Sequence, residues 1–364
     1  MTRSARTLHD LPTPALLLDA GALERNLARM QQRADALGVR LRPHIKTHKC
    51  LEIARRQREL GAHGLTVSTL EEARIFADHG FDDLTWAFPV PLSRVEQAAE
   101  LAGRVRLGLT VDSEAAIDAL ERAGRPFTVW LKVDCGYGRA GVDPSSERAV
   151  ALVRRLHESP RLEPAGLLTH SGHAYAGDSP GRIAEIAEQE RRVMVRLAER
   201  LRAEGLDPGV LSVGSTPAMA RVRRLDGVDE VRPGNYALYD YTQASLGSCA
   251  IEECAATVLA TVVSARPDRC VIDAGALALS KDVGPDDPPH FGPVCADPAR
   301  TALDSAGRVV SVSQEHGIVD RPLRVGERVR IVPNHSCLTV ACFDAFTVVR
   351  GTELLATWKI WRNR

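Results

Sequence analysis

Two stretches of this 364-residue chain concentrate side chains able to move protons, form covalent bonds or hold ions. The first is Arg42-Pro43-His44-Ile45-Lys46-Thr47-His48-Lys49, a run of titratable groups that starts where a short apolar segment from Val39 ends. A primary amine in a strand-end loop among polar neighbours can condense with a carbonyl, and Lys46 has that setting. Lys49, at the start of the next helical stretch, reads as a solvated surface charge. The second is Pro333-Asn334-His335-Ser336-Cys337. On an extended segment residues two apart share a side, so an imidazole nitrogen of His335 and the Cys337 thiolate can reach one ion, for which borderline-soft zinc is suited. Taken alone, a His-x-Cys pair reads more readily as a core cysteine beside a surface histidine.

Four further clusters are dense in polar residues: Asp134 to Gly141, His170 to Tyr175, Gly214-Ser215-Thr216-Pro217 and Arg232-Pro233-Gly234-Asn235. Gly214-Ser215-Thr216 and Gly234-Asn235 offer backbone N–H groups and hydroxyls, the equipment of a phosphate site. Either loop alone is ordinary turn punctuation. Together, opposite a strand-end lysine, they point to pyridoxal 5′-phosphate, whose aldehyde forms a Schiff base with lysine and whose ring is an electron sink. Among the histidines, His9, His63, His79, His157 and His290 read as structural or solvent-facing without partners, whereas His44, His48, His170, His173 and His316 fall in loop clusters.

The elements that must position these groups follow from periodicity. Leu23, Leu27, Met30, Ala34 and Leu37 recur at helical spacing, and Gly38 stops that helix. Candidate strands begin near Val39, Leu65, Leu84, Val105, Phe127, Pro164, Val210 and Glu230, each followed by a helical pattern. Eight such units predict a (β/α)8 TIM-type barrel over residues 15–245, with the polar clusters in the βα loops where barrel sites lie. No GxGxxG follows an early strand, so a dinucleotide fold has no support. Beyond 246, alternating runs at Thr257–Val263, Arg269–Asp273, Arg308–Ser313, Arg328–Val332 and Phe346–Val349 predict a mainly antiparallel C-terminal β domain over 246–364, with residues 1–14 packed on it. The proline-rich stretch from Lys281 to Pro298 reads as an irregular surface loop.

Composition narrows the class. The chain has 44% hydrophobic and 26% charged residues, with 47 basic against 47 acidic side chains, so no nucleic-acid or membrane-surface role is favoured. Its eight cysteines form no CxxC pair, and no segment reaches the length of a membrane span or a signal sequence. The expected setting is cytoplasmic, with reduced thiols.

The Pro43-His44-Ile45-Lys46-Thr47-His48-Lys49 string, with Gly214-Ser215-Thr216-Pro217 and Arg232-Pro233-Gly234-Asn235-Tyr236, resembles the D-serine dehydratase and D-threonine aldolase family, which shares the alanine racemase barrel. The resemblance runs from Leu11-Pro12-Thr13-Pro14 to the C-terminal β domain. It implies Lys46 as the Schiff-base lysine, Ser215, Thr216, Gly234 and Asn235 around the cofactor phosphate, and Arg139 at its phenolic oxygen. Tyr175 would line the ring, and Arg232 matches the arginine that meets the ring nitrogen in the racemases. It also implies a homodimer, a divalent metal on His335 and Cys337, and His316 as a proton-transfer group near the metal. Zinc goes with His-x-Cys in the dehydratases, whereas His-x-Asp in many aldolases takes harder ions such as Mn2+ or Mg2+.

The expected activity is that of a metal-assisted lyase acting on a D-3-hydroxyamino acid, dehydrating it to a 2-oxo acid and ammonia. The alternative is retro-aldol cleavage to glycine and an aldehyde. Racemisation needs a second acid–base group, usually a C-terminal tyrosine, and no tyrosine follows residue 250. A non-catalytic pyridoxal carrier would resemble the barrel alone.

Overall fold

The computed structural model describes residues 7–295, 297–303 and 307–362. Two compact units emerge, one made of Met30–Lys46 and Ile53–Gly234, the other of the chain up to Arg29 with Thr47–Glu52 and Asn235–Arg362.

In the first unit eight parallel strands follow one another in the order Arg40–Leu41, Glu230–Val231, Val210–Val213, Leu162–Leu168, Phe127–Lys132, Arg106–Val111, Asp83–Pro89 and Leu65–Val67. Each lies within two residues of an expected start. A parallel bridge between His44 and Thr66, with Thr66 N–H donating to Pro43 O at 2.8 Å, joins the two ends of the sheet into a barrel. The reactive loop therefore sits on the closing seam. Inside, Gly108 admits the Trp130 indole: a Cβ there would meet Trp130 Nε1 at 2.5 Å. A buried polar layer fills part of the interior, with Arg42 Nε donating to Glu230 Oε2 at 2.7 Å, Arg42 Nη1 to Asp83 Oδ1 at 2.6 Å, and Ser212 Oγ to Glu230 Oε1 at 2.6 Å.

Helices cover the strands outside. The longest, Pro180–Ala203, starts at the Ser179 N-cap with proline in its first turn, where the missing N–H costs nothing. Its buried stripe runs Ile183, Ala187, Glu190, Met194, Leu197, Leu201, so one glutamate occupies a position where the pattern calls for an apolar side chain.

The second unit is built on a nine-stranded, mostly antiparallel sheet. Ala15–Asp19, expected at the start of the barrel segment, lies instead inside this sheet, antiparallel to Ala256–Ala265 and parallel to Ala345–Arg350. Leu16, Leu17 and Leu18 are all buried, as in a strand covered on both faces, and such a run carries no alternation to reveal its sheet. Leu8 packs with Leu17, Leu259 and Val349, and its N–H donates to Thr352 O. Residues 1–6 of the segment expected to pack here lie outside the described residues. The Lys281–Pro298 stretch departs from the expected loop: Val294–Cys295 pairs with Arg328–Ile331, and His290 is buried, while residue 296 lies outside the described residues. Among the described residues no helix is long and apolar enough to cross a membrane.

Candidate functional site

At or just beyond the C-terminal ends of its strands the barrel unit carries Lys46, Lys132, His170 and Arg232. Lys46 lies half-buried in the turn Ile45–Thr47 that follows the first barrel strand. His44 supports it, with Nδ1 3.4 Å from the Lys46 N–H and Nε2 3.5 Å from Ser68 Oγ. His170 ends the loop after Leu162–Leu168. Burial, and then the positive charges of Lys46, Lys132, Arg139 and Arg232, hold its pKa well below the usual value, so the ring is neutral. The basic side chains around this loop make the local potential positive, which favours an anionic guest.

Two of those cations are buried. Lys132 ends the strand Phe127–Lys132, and burial, with Arg232 and Arg139 nearby, lowers its pKa to about 7. Arg232 donates to Ser212 Oγ and to Thr169 O, and burial lowers its pKa to about 10 despite Glu230 and Glu190. Arg139 is exposed, with its guanidinium carbon 4.9 Å from the Tyr137 ring centroid. Tyr175 is half-buried in the turn Gly172–Ala176.

The loop after Val210–Val213 has the expected form. Gly214 takes φ +100°, which an L side chain resists, and Ser215 caps the helix Thr216–Arg221 by accepting from Ala218 N–H. Both Ser215 and Thr216 are buried. The donor set fits pyridoxal phosphate: Lys46 supplies an amine for the aldehyde, the Gly214–Thr216 turn and Gly234 suit the phosphate, and the cations around His170 suit its anionic oxygens.

In the second unit His335 and Cys337 are in direct side-chain contact. The local structure differs from the extended segment expected: His335 is the N-cap of the helix Ser336–Ala341, and Cys337 is that helix's second residue. The helix turn, rather than strand alternation, brings them together. Asp240 Oδ2 fixes this turn, accepting from Ser336 N–H at 2.9 Å, from Ser336 Oγ at 3.3 Å and from Asn235 Nδ2 at 2.6 Å. Burial lowers the His335 pKa, but the Cys337 thiolate, with Asp240 and Asp282, outweighs it and raises the value to about 9. A soft, anionic sulfur beside an imidazole fits zinc and leaves further positions for other ligands. Thr47, the chain neighbour of Lys46, places Oγ1 3.2 Å from Cys337 Sγ.

Asn235 and His316 differ from expectation. The Asn235 amide is committed to Asp240 and Ser336, so its backbone N–H is what it has to offer a phosphate. His316 stands exposed in the turn between Val309–Val312 and Gly317–Val319, and among the described residues no third His, Cys, Asp or Glu joins His335 and Cys337. Four histidines expected to lack partners have them: His63 lies against Asp83, His79 contacts Ile75 O, His157 contacts Asp207 O, and buried His290 contacts Asp286. Lys132, Glu190 and Asp240 escape the sequence reading. A lysine closing an apolar strand and a glutamate inside an apolar helical stripe are the signals that mark the first two.

Residues 18–242 match the alanine racemase N-terminal domain and residues 255–349 a serine dehydratase domain. The D-threo-3-hydroxyaspartate dehydratase of Delftia sp. is 40% identical over 97% of this chain and 98% of that protein. Its solved structure superposes with TM-score 0.93 at 38% identity, covering 99% of this chain and 100% of that one, and a cysteine-to-alanine mutant of it has been solved in a metal-free form. The D-serine dehydratase of Dictyostelium discoideum is 34% identical over 96% of both chains, and the D-threonine aldolase of an Arthrobacter species 32% identical over 96% of this chain and 92% of that one. The alanine racemase of Bacillus anthracis, 15% identical with TM-score 0.70 over 96% of this chain and 98% of that one, shares the fold. Fold and matches define a lyase on an alanine racemase-like barrel. The chain belongs to the D-serine dehydratase and D-threonine aldolase family.

Proposed function

We propose that this protein is a pyridoxal phosphate- and zinc-dependent dehydratase of D-3-hydroxyamino acids, working in the cytoplasm as a homodimer. The observation that carries the cofactor assignment is the presence, in one unit, of Lys46 in the turn after the first barrel strand, the capped Gly214-Ser215-Thr216 turn, and the buried basic side chains Lys132 and Arg232. When bound, the cofactor supplies an electron sink that stabilises negative charge at the substrate Cα. Lys46 Nζ would carry the covalent attachment and would be the base that accepts the substrate Cα proton. Gly214, Ser215, Thr216 and Gly234, with the Asn235 N–H, hold the phosphate. Arg139 would meet the phenolic oxygen and Tyr175 would line the ring, while Arg232 is the residue that matches the racemases' arginine at the ring nitrogen.

His335 and Cys337 would hold the divalent ion, which supplies Lewis acidity for departure of the β-hydroxyl. In balance, the substrate loses its Cα proton and β-hydroxide as one water, and the enamine left behind is hydrolysed to a 2-oxo acid and ammonia. Cys337 favours dehydration, because its thiolate selects zinc over the harder ions. The aldolase relative keeps retro-aldol cleavage as the second reading, in which a base such as His316 would take the hydroxyl proton.

Incubation with D-serine, D-threonine and D-threo-3-hydroxyaspartate, with separate assays for 2-oxo acids and glycine, tests the assignment. Pyruvate from D-serine and 2-oxobutanoate from D-threonine are expected. Glycine and acetaldehyde from D-threonine, with no 2-oxobutanoate, would make the protein an aldolase.

A further inference from the structure

The glutamate in the apolar stripe of Pro180–Ala203 lies beneath two of the mouth loops. Its Oε1 accepts from Ser171 N–H at 2.9 Å and from Gly214 N–H at 3.2 Å, and its Oε2 accepts from Ser171 Oγ at 2.8 Å. The Ser171 hydroxyl in turn stands 3.3 Å from Ser215 Oγ, and Ser215 Oγ lies 3.4 Å from Ser171 O. Glu190 is 2% exposed, and Ser171 and Ser215 are equally enclosed. Burying a carboxylate carries a large desolvation cost, which an apolar residue at this stripe position would avoid. All three of its donors come from βα loops at the barrel mouth.

We propose that Glu190 is a positioning residue for the cofactor phosphate: its carboxylate ties the loop after Leu162–Leu168 to the Gly214-Ser215-Thr216 turn and holds that turn in the shape that receives the phosphate. This rests on the pyridoxal phosphate reading above. Gly214, at φ +100°, is the pivot of the turn. Fixing its N–H sets the peptide plane from which Ser215 and Thr216 continue, and so the direction of the groups that meet the phosphate. Ser171 directly follows His170, so the same carboxylate also sets the loop that bears His170.

The test compares two ligands that differ only in the phosphate. Pyridoxal phosphate and phosphate-free pyridoxal are titrated into cofactor-free full-length protein and followed by absorbance. Glu190→Ala is expected to weaken pyridoxal phosphate binding by about tenfold or more, the scale of the buried hydrogen bonds lost, while pyridoxal affinity changes by less than about twofold. Glu190→Gln keeps an amide oxygen for the Ser171 and Gly214 N–H groups and should recover most of the loss. Equal weakening of both ligands, or unchanged pyridoxal phosphate affinity in folded Glu190→Ala, overturns the proposal. Should Glu190→Ala fail to fold, Ser171→Ala decides: selective loss of pyridoxal phosphate supports the clamp and equal loss overturns it. A wild-type chain that binds neither ligand overturns the cofactor reading and the clamp with it, whereas normal wild-type binding with unselective variants overturns the clamp alone.

Discussion

Lys46 and Lys132 show how differently two strand-end lysines read. Lys46 was legible because it stands in a dense polar string after a strand, and Lys46→Ala should abolish the borohydride-sensitive visible band of the holoenzyme while leaving the barrel folded by circular dichroism. Lys132 was hidden at the end of Phe127–Lys132, where an apolar run followed by one lysine looks like a strand reaching solvent, yet the side chain is 5% exposed. Burial, with Arg232 and Arg139 beside it, takes its pKa from an ordinary 10.5 to about 7 in the folded chain. Below pH 7 both folded and unfolded chains hold the proton, and folding carries the full penalty of the buried charge. Between 7 and 10.5 the unfolded chain binds a proton that the folded chain has released, so stability rises with pH across that window. Lys132→Met should stabilise cofactor-free protein at pH 7 by on the order of a few kcal/mol, seen as a higher melting temperature, and flatten the rise toward pH 10. A mutant whose melting temperature follows the wild-type pH profile would contradict the buried-charge account. Glu190 escaped for the opposite reason: a helix stripe with one polar member still reads as an amphipathic helix, and the partners that explain it are some 20 residues away in sequence.

At the scale of elements, all eight barrel strands were visible, because each alternates with a helix whose apolar stripe has its own period. What periodicity could not resolve was the leucine run Ala15–Asp19, buried on both faces, and the turn around His335. There the two side chains are adjacent, but a helix turn rather than the expected strand alternation brings them together. A cap and the first turn of Ser336–Ala341 make the pair, and that turn depends on Asp240, about a hundred residues earlier. Asp240→Asn replaces a carboxylate that accepts from Ser336 N–H, Ser336 Oγ and Asn235 Nδ2 with an amide that has one accepting atom fewer. Supporting groups of this kind typically govern metal affinity by about 10- to 100-fold. Asp240→Asn should therefore weaken zinc binding by that factor in competition with a chromogenic chelator. Cys337→Asp should also lower zinc preference, admit manganese, and shift residual turnover toward glycine. Unchanged metal preference in Cys337→Asp would remove the argument from thiolate to dehydration.

For the whole molecule, the division of labour follows the division of the chain. Lys46, the Gly214–Thr216 turn, Arg139 and Arg232 belong to the barrel unit, whereas His335, Cys337 and Asp240 belong to the unit built on the nine-stranded sheet. The three hydrogen bonds that Glu190 accepts from Ser171 and Gly214, and the two that Arg232 donates to Ser212 Oγ and Thr169 O, are made entirely within the barrel unit. Neither of these two sets passes through His335 or Cys337, so these barrel-unit contacts do not depend on an ion held by that pair. The reaction, by contrast, requires hydroxide to leave an sp3 carbon, a poor departure without a Lewis acid at the oxygen. Dialysis of holoenzyme against a strong chelator is therefore expected to abolish 2-oxo acid formation from D-serine and D-threonine while the visible band persists at full intensity. Zinc added back should restore turnover without further pyridoxal phosphate. If the chelated enzyme keeps its full rate, the His335–Cys337 pair is structural. If the visible band disappears with the ion, metal and cofactor binding are coupled, and the independence argued from the supports of the phosphate turn and Arg232 is wrong.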